Sequence, residues 1–481
     1  MKWAAILLYV GVLVTVGLLS ARKTKSVSDF FLGGRSIGPW ISAFAYGTTY
    51  FSAVIFIGYA GKIGWGFGLS DLWIVAGNVF LGTYLAWKVL ARPTREMTAR
   101  LGVLTMPAFL EARYQSRGLK ILGALVIFIF LVPYSASVYM GLSYLLEGIF
   151  GVPYFGALAL IAGLTALYLV LGGYFAVTLN DFIQGLIMLV GSVLLISHVL
   201  AHPCVGGLAQ GISRLASYDP GLVKVVGPPG AVPLFSLVIL TSLGTWGLPQ
   251  MVQKFYSIKD ERGIRPATVV SSVFALVITF AAYFTGALGR LFLNNHMPVW
   301  NGRPNPDLVM PHVIAQALPE VLSVIVLLLV LAASMSTLAS LVLVSSSAIS
   351  LDLVKGALFP RIGQKAQVLL LRTFCLLFTL LSVVIALTPT FIVTLMSISW
   401  GTVAGVFLAP YLYGLYYKGT TRAGAWAGAV TGLGLSLGLA WYYHMDDKLI
   451  PTIGSVAMIV PLVVVPLISW VTNKLREEHL S

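Results

Sequence analysis

The stretch Leu331–Lys355, LAASMSTLASLVLVSSSAISLDLVK, holds the residues best suited to chemistry. It is apolar enough to cross a bilayer, yet it carries Ser334, Ser336, Thr337, Ser340, Ser345, Ser346, Ser347 and Ser350, and it meets no charge until Asp352. Ser336, Ser340 and Ser347 stand at i, i+4 and i+11, so a helix sets them on one face with Thr337 at its edge. Neutral oxygens in a dry place suit a monovalent hard cation. Mg2+ and Ca2+ sites draw on carboxylates, and softer metals want Cys or His. One reading of this face is therefore a Na+ site at Ser336 and Thr337. The other is that small hydroxyl residues let helices approach closely and bond across their interfaces, which accounts for most serines in membrane helices.

Such a face needs a bundle of membrane helices to position it, and the composition fits one. The 481 residues are 58% hydrophobic and only 10% charged, with a mean hydropathy of +0.93. These values belong to a polytopic membrane protein and exclude a large water-exposed enzyme module. The net charge of +14 is spread between apolar runs rather than gathered on one segment, so it reads as topology and not as a nucleic-acid surface. Cys204 and Cys375 form no CxxC and no disulfide framework. The first apolar run, 3–20, lacks a small-residue cleavage pattern and is followed by Arg22, Lys23 and Lys25, as expected of a retained span.

Apolar segments of spanning length fall at 3–20, 40–60, 70–91, 121–146, 154–172, 181–201, 233–252, 267–289, 320–350, 367–387, 391–416, 423–443 and 452–473. Thirteen helices put the termini on opposite sides. With the N-terminus outside, all of the 30 Lys and Arg fall on the inner side except Lys2, Lys62, Arg214, Lys224, Arg290, Arg303 and Lys448. The positive-inside rule thus places the C-terminus in the cytoplasm. The loops 202–232 and 290–319, rich in Pro and Gly, are expected to cap the outer face.

Two spans are broken near their centres. The second reads GPWISAFAYGTTYFSAVIFIGYAG, with Gly47, Thr48, Thr49, Tyr50 and Ser52 at its middle. The seventh reads PLFSLVILTSLGTWGLPQMVQKF, with Gly244, Thr245, Trp246, Gly247 and Pro249. Gly weakens a helix and Pro removes an N–H, so both can unwind at membrane depth where protein, ions or substrate meet the freed groups. Ordinary kinking is the plainer explanation of either one. Each, however, opens a set of five spans, 40–201 and 233–416, and five being odd, the second set enters from the opposite side. Matched breaks in an inverted repeat point to a transporter's binding site. The expected organisation is a first helix and cytoplasmic loop (1–39), a first repeat (40–201), an outer loop (202–232), a second repeat (233–416) and two C-terminal helices with a short tail (417–481).

No HExxH, phosphate loop or GxSxG is present, so hydrolysis and ATP-driven pumping have no visible apparatus, and the chain does not read as an enzyme. The histidines have no metal-ligand spacing. Asp71, Glu147, Asp181 and Glu320 all fall near expected helix ends, which favours Na+ over a proton relay through membrane carboxylates. Asp181, in TLNDFIQG, reads as an N-terminal helix charge or as an attractor for a departing cation. Tyr46, Tyr50, Phe51 and Trp246, with Tyr134, Ser135 and Ser137 and with Ser397, Ser399 and Trp400, could line a pocket for a small amphipathic solute, although aromatics are more often packing. No Lys or Arg is expected to be buried, so helix N-termini would have to meet a substrate carboxylate.

At DFFLGGRSIGP, ARYQS, LNDFIQG, GLPQMVQKFYSIKD, GALGR, NPDLVMP and AASMSTLASLVLVSSSAISLDL the chain resembles the sodium:solute symporter family along nearly its whole length. The resemblance implies a leucine-transporter-like core of two inverted five-helix repeats working by alternating access. It also implies a Na+ site between the first and eighth core helices. Carried onto this chain, the ligands are the hydroxyls of Ser336 and Thr337 and the carbonyls of Thr48, Phe51 and Ala333. Within the family, TYFSAVIFIG, GLPQ, SIKD and NPDLVMP most resemble bacterial sodium/pantothenate symporters. Proline symporters share MSTL and FLGGR but carry an Asp where this chain has Tyr50, and aromatic residues near Thr241 and Thr245.

The resulting expectation is a Na+-coupled importer of a small carboxylate such as pantothenate in a bacterial cytoplasmic membrane. Na+ is its coupling ion, with no other cofactor and no nucleic-acid partner, and substrate sits near Tyr50, Tyr134, Ser137, Thr245 and Trp246. Proline or monocarboxylate symport is the alternative within the family. From another class, a transport-inactive sensor would be expected to carry a soluble output domain, and past residue 473 the chain offers only a short charged tail.

Overall fold

The computed structural model describes residues 4, 6–12, 15 and 37–478 apart from 389, and leaves out the side chains of 167–176 and 476–478. The first expected span and the loop containing FLGGR therefore lie, for the most part, outside the described residues, as does His479. Among the described residues ten helical runs are long and apolar enough to cross a membrane, and Tyr154–Ala166 is a shorter apolar one. Among the described residues the chain is a mostly helical polytopic membrane protein.

Every span expected from residue 40 onward corresponds to helix. The first core span is α1 (Pro39–Tyr50) and α2 (Val54–Ile63), and the second begins with α3 (Leu72–Val79). Between them Gly68 takes a φ of +57°, a turn that a side chain would strain. Next come α4 (Arg117–Phe150) and α5 (Tyr154–Ala201). The expected spans 154–172 and 181–201 are joined in α5, since no Pro between them removes a backbone donor. The second set is α6 (Ala231–Leu243) with α7 (Pro249–Tyr256), α8 (Ile264–Ala287), α9 (Glu320–Ser347), α10 (Gln364–Ala386) and α11 (Ile392–Tyr416). Two more helices follow, α12 (Arg422–Tyr442) and α13 (Ile450–Glu478). Starts are marked by side-chain caps where the sequence supplies them: Ser116 accepts from Leu119 N–H and Thr421 from Gly424 N–H.

Both expected breaks are present. Helix α1 stops at Tyr50, Phe51 is extended (φ −108°, ψ 122°), and helix resumes by Val54. Helix α6 gives way to a tight turn at Gly244–Trp246, Leu248 is extended, and Pro249 begins α7, where a missing N–H costs nothing. Burial separates centre from rim. The apolar windows of α9 and α11 are 78% and 94% buried within the protein, against 28% for α10. Helix α9 packs on α5, α4 and α1. Where α8 passes the end of α2, Gly64 and Gly286 meet backbone to backbone, and a Cβ on either would collide with the other strand of chain.

The outer loops fold as short elements. Leu208–Tyr218 is a helix, and Val299–Trp300 pairs with Arg303–Pro304 across Asn301 and Gly302, both at positive φ, as a two-residue hairpin requires.

Candidate ion and solute site

The hydroxyls of α9 divide into two kinds. Ser347 bonds the carbonyls of Leu343 and Val344, Ser346 that of Leu343 and Ser350, just past the end of α9, that of Ser346, so these donate to their own backbone, and Ser346 also accepts from Cys375 Sγ on α10. Ser334, Ser336, Thr337 and Ser340 also reach across to the broken helix. Ala53 N–H donates to Ser334 Oγ at 3.0 Å, satisfying a donor released by the break. Ser340 Oγ lies 3.1 Å from Thr49 Oγ1. Ser336 Oγ lies 2.9 Å from Thr48 Oγ1.

Thr337 Oγ1 lies 3.2 Å from the carbonyls of both Thr48 and Thr49 and 3.1 Å from that of Ala333. One hydroxyl proton cannot serve three acceptors. The break thus gathers more lone pairs than protons around Thr337, an arrangement that can hold a monovalent cation. Of the ligands expected from the resemblance, Ser336, Thr337, Thr48 and Ala333 come together here, and Thr49 joins them. Phe51 stands at the break itself, its ring stacked on Tyr50 with centroids 4.2 Å apart.

Two expectations about charge are corrected. Asp181 does not open a helix. It sits inside α5, fully buried, with Oδ1 2.5 Å from Ser336 Oγ. A lysine is buried as well. Lys254, 1% exposed, lies on α7 with Nζ 3.3 Å from Asp181 Oδ2 and 3.2 Å from Ser340 Oγ. An ion pair at membrane depth is costly unless its members also find hydrogen bonds, and each of these does. The seventh span was expected to end at 252, which left Lys254 among the interfacial cations. The signal for its burial is the apolar Phe255–Tyr256 that follows, since both side chains are buried when α7 runs through to Tyr256.

On the other side of the break a narrow cavity of about 20 Å³, room for about one water, is bounded by Tyr50, Tyr59, Asn78, Tyr134, Tyr283 and Trp400, among others. Tyr50 donates to Thr241 O at 2.7 Å and lies 3.0 Å from Asn78 Oδ1, which also receives Thr241 Oγ1 at 2.9 Å and Ser242 Oγ at 3.1 Å. Trp400 stacks on Tyr50 and meets Tyr134 edge-on. Tyr50 and Tyr134, expected to contact substrate, are therefore on this wall. Ser137 turns back to Tyr134 O. Thr245 bonds Gly82 O and Ser242 O, and Trp246 Nε1 bonds Leu81 O, which directs both toward the second core span. Asn78 and Tyr283 were not anticipated. Asn78 is a fully buried amide in an otherwise apolar segment, and that was the available signal.

Comparison with known proteins agrees with this architecture. Residues 30–432 match the model of the sodium:solute symporter family. A sodium/proline symporter of Staphylococcus aureus is 30% identical over 98% of this chain and 92% of its own length. The osmoregulated proline transporter OpuE of Bacillus subtilis is 28% identical over 88% of this chain and 86% of its own. Among solved structures, the substrate-bound outward-open state of a Na+-coupled sialic acid symporter superposes with a TM-score of 0.73 at 18% identity, covering 97% of this chain and 98% of its own. Mhp1, a nucleobase-cation-symport-1 family transporter, gives 0.57 at 16%, covering 94% and 96%. These likenesses identify the fold as the leucine-transporter-like core of two inverted five-helix repeats. The named relatives are proline transporters, so the narrower resemblance to pantothenate symporters gains no support from them. Spanning 30–432 of 481 residues, and with a relative 30% identical along almost all of its length, the chain belongs to the sodium:solute symporter family.

Proposed function

We propose that this protein is a Na+-coupled importer of a small carboxylate-bearing solute, with proline as the first candidate. The observation that carries the reading is the convergence of the Thr48, Thr49 and Ala333 carbonyls on Thr337, beside Ser336, where α9 meets the break in α1. Na+ there would tie the two helices together while substrate binds on the opposite side of the break, against Tyr50, Tyr134 and Trp400. Both ligands would then favour one conformation, so each must tighten the other. The cavity wall has no charged side chain among the residues lining it, which suits a zwitterion or a carboxylate met by backbone N–H groups. Proline is favoured by the proline transporters among the relatives. With the N-terminus outside and the C-terminus in the cytoplasm of a bacterium, as the basic residues suggest, the membrane potential would add about 2.3 kcal/mol per charge per 100 mV.

Uptake of radiolabelled proline, pantothenate and a short monocarboxylate into proteoliposomes, with and without an inward Na+ gradient, tests this. Na+-dependent accumulation of proline is expected. Pantothenate accumulation instead would keep symport and reassign the solute, and uptake indifferent to Na+ would remove the ion from Ser336 and Thr337.

A further inference from the structure

The position beside the Ser336–Thr337 oxygens is itself built to hold a cation, and it already contains one. Asp181 Oδ2 and Ser340 Oγ both lie within 3.3 Å of Lys254 Nζ, and Thr49 Oγ1 is 3.1 Å from Ser340 Oγ. A carboxylate with two hydroxyls at its side is a set of hard oxygen donors suited to an alkali cation. Here an ammonium on a fixed stem stands among them. The two positions share a wall, because Asp181 offers Oδ2 to Lys254 and Oδ1 to Ser336, while Thr48 faces Ser336 and Thr49 faces both, its carbonyl toward Thr337 and its hydroxyl toward Ser340. Asp181 and Lys254 are both essentially inaccessible to water, so neither charge can be neutralised by solvent. A second mobile cation would have to stand close to the ammonium in a low-dielectric setting, where like charges repel strongly.

We propose that Lys254 is a tethered cation filling a second cation position formed by Asp181 and Ser340, and that it limits this transporter to one bound Na+. This rests on the Na+ site proposed at Ser336 and Thr337. The lysine replaces an ion that would otherwise be drawn from the medium. It supplies the charge that Asp181 requires without adding to the ions moved in each cycle.

The experiment counts radiolabelled Na+ bound at saturation to the purified full-length protein, at alkaline pH so that protons do not compete. Wild type should bind one Na+ per chain. Lys254→Gln should bind two, because Asp181 is left without its counter-ion, and Lys254→Met, which keeps the length of the stem, is a second variant should the first not purify. Lys254→Arg retains a cation and should stay at one. Two ions in the wild type, or an unchanged count of one in both the wild type and Lys254→Gln, overturns the proposal. No ion in the wild type but one in Lys254→Gln would sink the Ser336–Thr337 site while leaving the tethered cation standing, so the two readings fail separately.

Discussion

The hydroxyl of Ser336 donates a hydrogen bond to Oδ1 of Asp181 at 2.5 Å, so a carboxylate on α5 directs its O–H and leaves the Ser336 lone pairs for an ion between α9 and α1. Thr337 has no such partner and instead lies among three carbonyls. The two neighbours thus contribute differently. Ser336→Ala and Thr337→Ala should each raise the Na+ concentration for half-maximal uptake by about tenfold or more, the scale of one lost bond to a charged group. Thr337→Ser, which keeps the oxygen, should be milder. Uptake measured against Na+ concentration checks this, and wild-type dependence in both alanine variants would refute the site.

Asp181 and Lys254 should be interdependent in stability. Removing one member of a buried pair leaves the other uncompensated, which costs about 3–5 kcal/mol, whereas removing both is often nearly neutral. Asp181→Ala should therefore lower the melting temperature in detergent sharply, and Asp181→Ala combined with Lys254→Met should recover most of the loss. Thermal melts of the four proteins complete the cycle, and additive losses would mean that the two side chains act independently.

The parts that were legible in the sequence are those that local chemistry enforces. Gly47 to Ser52 and Gly244 to Pro249 announce breaks because backbone groups there cannot complete a helix, and Ser336 and Thr337 stand out as hydroxyls in an apolar run. Lys254 and Asp181 were not legible as a pair. Each sits beside an apolar stretch and reads as an interfacial charge until the two are brought together, 73 positions apart in sequence. Trp246 and Thr245 show the converse. Their types suit a solute pocket, but the sense of the turn at Gly244–Trp246 decides where they point, and it presents them to Leu81 and Gly82.

The cavity wall gives a prediction that separates solute from ion. Tyr50→Phe removes a hydroxyl bonded to Thr241 O and Asn78 but keeps the ring against Phe51 and Trp400. It should raise the KM for solute several-fold, about 1 kcal/mol for one hydrogen bond. Trp400→Ala should have a larger effect, since it strips an aromatic face from both Tyr50 and Tyr134. Direct Na+ binding without solute should change little in either variant. Solute KM and Na+ affinity measured side by side decide whether this cavity is the solute site.

Asp307 links the hairpin-bearing loop to the start of α11 and should make that joint sensitive to pH. Its carboxyl is fully buried, and Oδ2 accepts from Ile392 N–H at 3.1 Å. Burial pushes its pKa from 3.8 up to about 6, against the smaller opposing pulls of the Ile392 bond and Lys62, while Asp447 adds to the rise. A carboxyl whose folded pKa is raised holds its proton better in the native state. Stability is therefore highest below the unfolded value and declines as pH rises from about 4 to about 6, levelling off above, with a total near 3 kcal/mol. Asp307→Asn keeps an oxygen for Ile392 N–H and removes the ionisation. Its melting temperature should lack this decline and should exceed that of the wild type by a margin that grows up to about pH 6 and then stays constant. Parallel pH dependences in the two proteins would show that Asp307 does not titrate in this range.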